Sequence, residues 1–160
     1  MTTAWTIPRQ APDTPESERD RFVLIAGCGG FGRKLAQVLS GGDRSITLID
    51  LSPEAFVALP PEFEGRLLAG DATDVALLEQ AGIATADMLV AATDNDNTNI
   101  FLAEIAKTIY GVKDVASRLY DGDKTRAYKD LGIRILNPVE LATLEFEKLF
   151  DIPEKGEEPA

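Results

Sequence analysis

Histidine is missing altogether from these 160 residues, and cysteine occurs once, as Cys28. Without an imidazole, Ser-His-Asp triads, His-based acid–base catalysis and His-ligated metals are all excluded. A single thiol excludes an intrachain disulfide and a thiolate zinc cluster, in keeping with a reducing compartment. No apolar run approaches the roughly 18 residues of a membrane span, and the polar N-terminus has no apolar core of a secretion signal. Basic residues are few: 16 Lys and Arg stand against 27 Asp and Glu, for a net charge of −11. With no local basic patch to override that total, nucleic acid is not an expected partner. The chain reads as soluble and cytoplasmic, without direct membrane insertion.

The length suits one domain with one sizeable core. Five of the nine prolines and five of the eleven surplus negative charges fall in residues 1–20 and 151–160. Segments of that composition bury too little apolar surface to offset their ordering entropy. They are read as disordered tails around a single folded unit over 21–150.

Within that unit, short apolar runs alternate with helical patterns. Strands are expected over 21–26, 45–50, 66–69, 87–92, 114–119 and 133–136, with helices between them over 33–40, 53–59, 75–81, about 100–110 and 124–131, and a last helix over 138–150. Ser52-Pro53 reads as an N-cap followed by proline at the first helical position, and Gly82, Gly111 and Gly132 as helix stops. Strands alternating with helices argue for an α/β, doubly wound, mostly parallel six-stranded sheet with right-handed crossovers and the order 3-2-1-4-5-6.

The chemistry concentrates at the expected carboxyl ends of the strands. Gly27-Cys28-Gly29-Gly30-Phe31-Gly32 contains GxGxxG directly between a strand and a helix, the Rossmann arrangement that brings a pyrophosphate onto free amides at a helix N-terminus. Asp50 ends the second strand 18 residues after Gly32, where a carboxylate accepts from both ribose hydroxyls of an adenosine. Leu51 and Ser52 supply no arginine for a 2′-phosphate, which disfavours NADP; a solvated strand-end carboxylate is the plain alternative for Asp50. After the third strand, Asp71, Ala72 and Thr73 stand where adenine would lie, or Asp71 or Thr73 merely caps the next helix. Ala91, Ala92, Thr93 and Asp94, at the end of the fourth strand and just after it, would line the second ribose or the phosphates, while Asn95, Asn97 and Asn99 read as turn and cap residues. Cys28 reads as a small loop residue packed beneath the ligand rather than a nucleophile.

The succession GCGGFG, LID, GDATD, AATDNDNTN, Arg118-Leu-Tyr and LGIRILNPVE resembles the nucleotide-binding RCK N-terminal domain, also called KTN or TrkA-N, over about residues 22–150. The resemblance implies a cytoplasmic regulatory subunit rather than an enzyme. It also implies binding of NAD(H), ATP, ADP or AMP, and control of a membrane potassium transporter or channel from within a homo-oligomer, a dimer or a ring of dimers. Carried over by position, Gly27, Gly29 and Gly32 would hold phosphates, Asp50 the ribose, Asp71 and Ala72 the adenine, and Ala92 and Thr93 the far side. Arg118 matches a position often basic in the family and would reach a phosphate, with a surface salt bridge as the alternative. The last helix, with Val139, Leu141, Leu144 and Leu149, resembles the family's dimer-forming element, with a satellite helix on the sheet as the alternative.

Some members carry an arginine inside the glycine loop where this chain has Gly30 and Phe31. Phosphate charge then falls to the helix terminus, to Arg33 or Arg118, or to a less charged ligand. The metal-binding acid found after the Pro138 position in part of the family is Val139 here, so no metal is expected, and no C-terminal RCK domain is expected beyond 150. The competing readings are a small NAD-dependent oxidoreductase, for which Tyr120-x-x-x-Lys124 has the tyrosine/lysine spacing, and an interaction subunit with a vestigial pocket.

Overall fold

A computed structural model describes residues 21–153; the tail readings for 1–20 and 154–160 lie outside the described residues, while in 151–153, read as the start of the second tail, the Asp151 and Ile152 amides donate to the carbonyls of Lys148 and Glu147. Six strands form one parallel sheet in the order β3-β2-β1-β4-β5-β6. They are β1 (Arg21–Ala26), β2 (Arg44–Asp50), β3 (Arg66–Ala69), β4 (Met88–Ala91), β5 (Asp114–Arg118) and β6 (Arg134–Leu136). The α-helices are α1 (Gly30–Leu39), α2 (Val75–Ala81), α3 (Asp96–Thr108), α4 (Gly122–Tyr128) and α5 (Pro138–Leu149).

The continuous apolar run of β1 follows from burial on both faces. Leu24 and Ala26 turn to one side, where Ile49, Leu89 and Val115 of other strands meet Leu78 of α2 and Leu102 and Ala106 of α3. Val23 and Ile25 turn to the other, with Ile46, Leu48, Val90 and Ala36 of α1. Successive strand residues point to opposite faces, so one six-residue segment anchors both layers. Each fully buried Leu or Ile of this kind contributes about 1.5–3 kcal/mol.

Two expected helices differ in form. Residues 53–59 make a 3-10 helix (Pro53–Ala58), because Pro60-Pro61 leaves no room for a second α-turn. Residues 124–131 split into α4 and a 3-10 turn (Lys129–Leu131). The first helix starts three residues earlier than expected, inside the glycine loop. In α5, Asn137 caps by accepting from the amides of Val139 and Glu140, yet none of its residues is buried. The satellite packing on the sheet that the sequence left open is therefore not found.

Candidate functional site

The chain runs outward through β1, β2 and β3 and then returns to lay β4 against the other side of β1, so the crossovers diverge between β1 and β4. A crevice opens at the carboxyl ends of strands at such a switch point. Here it has a volume of about 750 Å³ and is lined from the loops after β1, β2, β3, β4 and β5. That size suits a small organic ligand.

The glycine loop forms its floor. Gly27 has φ +102°, and a Cβ there would stand 2.5 Å from the Ala92 carbonyl oxygen. Gly32 passes so close to the Gly27 carbonyl that any Cβ would overlap its oxygen, which is how α1 comes down onto β1. At Gly29 and Gly30 an added Cβ would meet nothing within 4 Å, and both residues line the cleft. Helix α1 has no side-chain cap and no acid in its first turn. The other four α-helices of the described residues are capped by Asp74, Asn95, Asp121 and Asn137. The first amides of α1 are thus left to whatever enters the cleft, with the positive end of the helix dipole behind them.

Asp50 closes one side. Its carboxylate accepts from the Cys28 amide at 2.8 Å and from the Ser52 amide at 2.9 Å, tying the end of β2 to the glycine loop. Cys28 lies beneath, fully buried, its thiol donating weakly to the Ala55 carbonyl at 3.6 Å. Burial, and secondarily the Asp50 charge, push that thiol up in pKa, so it is a packing group rather than a nucleophile. Across the cleft, Asp71 accepts from the amide and hydroxyl of Thr73 at 2.8 and 2.7 Å. These bonds hold its carboxyl below the ordinary range. Capping of α2 belongs to Asp74, which accepts from the Ala76 amide, and not to Asp71 or Thr73.

The far wall is built on Asn99. Fully buried, it accepts from the amide and hydroxyl of Thr93 and donates to the carbonyls of Thr93 and Arg118. The loop after β4 is thereby held to the end of β5. Arg118 adds a second tie, its guanidinium donating to the Thr93 carbonyl at 2.6 Å, with Phe31 and Tyr120 ring centroids 5.6 and 5.3 Å away. Its partners are a carbonyl and two rings rather than the surface carboxylate weighed as an alternative. Asp96 accepts from the amides of Tyr120 and Asp121, and Lys124 donates to Asn97.

Of the residues named from sequence, Gly27, Gly29, Gly30, Asp50, Leu51, Asp71, Ala72, Thr73, Ala92, Thr93 and Arg118 all line this one cleft. Cys28 and Gly32 support it from behind, and Phe31 borders it through Arg118. Sequence reading missed Ser52, Asn95 and Thr98 as lining residues and took Asn99 for a turn residue, although only Asn95 caps α3. Asn99 carried one usable signal, a polar side chain on the apolar face of a helix three residues before Leu102. Among the described residues no set of three or more Cys, Asp or Glu gathers as metal ligands, and no helix is long and apolar enough to cross a membrane.

Known proteins are similar to this chain. The Trk system potassium uptake protein TrkA of Streptomyces coelicolor is 38% identical over 111 residues, which is 69% of this chain and 50% of that protein. The chain thus spans about half the length of that curated relative. Among solved structures, the Kef CTD of Shewanella denitrificans in its AMP-bound form is 26% identical at a TM-score of 0.66, covering 84% of each chain. The GsuK channel bound to NAD shares the fold at a TM-score of 0.71 and 24% identity, over 87% of this chain and 24% of that one. The TrkA-N domain profile matches residues 23–138, from the first strand through the glycine loop to the start of the last helix, and the chain belongs to the TrkA-N domain family.

Proposed function

We propose that this domain is a regulatory subunit that binds NAD(H) or an adenine nucleotide (ATP, ADP or AMP) in the cleft and thereby controls potassium transport through a membrane partner, without catalysing a reaction. The observation that carries the reading is the uncapped, glycine-lined start of α1 facing Asp50 across a cleft of about 750 Å³. Phosphate would sit on the α1 amides, the ribose hydroxyls on Asp50, and adenine near Asp71 and Ala72. The AMP and NAD held by the structural neighbours support that class of ligand. The potassium uptake role of the Streptomyces relative supports the partner.

Against oxidoreductase chemistry stands the fate of Tyr120 and Lys124. The tyrosine ring lies against Arg118 and the lysine amine donates to Asn97, contacts other than the lysine–tyrosine pairing that such chemistry uses. Thr93 ties the cleft to the end of β5 through Asn99 and Arg118, the route by which a bound ligand would act on the region next to α4. The exposed apolar side chains of α5 supply a surface for self-association into a dimer or a ring of dimers, peripheral to the membrane on its cytoplasmic side.

Differential scanning fluorimetry tests the reading. A ligand at about 100 times its Kd adds about 2.7 kcal/mol to stability, which raises Tm by several degrees in a domain of this size. NAD(H) or an adenine nucleotide should produce that rise. Asp50→Asn should lose most of it, each protein being compared with and without ligand so that intrinsic stability cancels. No rise with any of them would leave an interaction subunit with a vestigial pocket.

A further inference from the structure

The cleft is more acidic than its expected ligand would favour. Asp50, Asp71 and Asp94 all line it, and Arg118 is the one basic residue among the described residues that do. Asp71, its carboxyl lowered further by the hydrogen bonds from Thr73, is ionised at neutral pH. Arg118 is held in position by the Thr93 carbonyl and by the two flanking rings, and its Nε is buried with no hydrogen-bond partner. The glycine loop adds amides but no charged side chain, and the end of a helix is worth only about half a positive charge. Arg33, in the first turn of α1, does not line the cleft, although its charge reaches Cys28 behind the loop, so the positive charge lining the cleft is roughly that of Arg118 plus the α1 terminus.

Resting on the nucleotide reading above, we propose that the cleft selects adenosine ligands with one or two phosphoryl groups at the glycine loop, a monophosphate or a dinucleotide, and discriminates against a triphosphate. A monophosphate carries about two negative charges at neutral pH, and a triphosphate roughly twice that. The added charge finds no further cation among the residues lining the cleft, and it is repelled by three carboxylates in a cleft whose walls focus the field. The ribose and adenine contacts are common to all these ligands, so the difference in affinity arises at the phosphates.

Isothermal titration calorimetry of the full chain with AMP, NAD and ATP, in low salt with EDTA, decides it. ATP is expected to bind at least about tenfold more weakly than AMP and NAD, equivalent to about 1.4 kcal/mol, with the gap narrowing as salt screens the charges. Gly30→Arg, at a position where a Cβ meets no atom within 4 Å, adds a cation facing the cleft and should recover most of the ATP deficit. ATP binding as tightly as AMP and NAD overturns the selection and leaves the nucleotide reading standing. Binding of none of the three removes both. A deficit unchanged in Gly30→Arg, with AMP still bound, overturns its electrostatic origin.

Discussion

Cys28 shows how a single position joins two demands. Its amide donates to Asp50 while its thiol packs under the loop against the Ala55 carbonyl, so a small, weakly polar side chain suits the site. Burial raises the thiol pKa and thiolate is the reactive form, so Ellman's reagent should leave the folded protein unlabelled and react only as urea unfolds it. Rapid labelling without denaturant would mean that the glycine loop opens readily. The GxGxxG spacing was legible in the sequence because each glycine answers a local backbone demand: positive φ at Gly27, close packing at Gly32. The partner of Asp50 was not legible, since it lies 22 residues away and meets it only when β1 and β2 pair.

The turn from β4 into α3 depends on two asparagines with different duties. Asn95 caps α3 by accepting from the Thr98 amide, an interaction worth about 1 kcal/mol. Asn99 holds two carbonyls, an amide and a hydroxyl inside the fold, and its removal leaves buried groups unpaired at about 1–3 kcal/mol each. Asn99→Ala should therefore lower the urea-unfolding free energy by about 3 kcal/mol, well beyond Asn95→Ala. Equal losses at the two sites would show that the Thr93–Arg118 tie does not hold the loop. From sequence the asparagines of this loop look alike, because turn propensity is a local property shared by all of them. What separates Asn99 is its inward register on α3, four residues after Asn95, which points it at the end of β5.

Over the molecule as a whole, the apolar surface is unevenly distributed. The sheet and helices α1 to α3 bury theirs on two faces, whereas α5 leaves Val139, Leu141, Leu144, Phe146 and Leu149 exposed, the last at 70%. Exposed apolar side chains gathered on one helix suit the self-association proposed above. Sedimentation at micromolar concentration should give a dimer or larger, and Leu141→Glu with Leu144→Glu should shift it to monomer. A monomeric parent chain would remove the self-association reading. The strand order, the two-sided burial of β1 and the location of the site at strand ends were all readable from alternating apolar runs and glycine spacing. Those signals are local, repeat with the period of the element that carries them, and leave few sheet topologies open. Which residues touch across the cleft, that α1 is the one α-helix of the described residues without a side-chain cap, and that no residue of α5 is buried all depend on groups far apart in the chain. Such pairings exist only once the crossovers have brought the strand ends together, and no periodicity in the sequence encodes them.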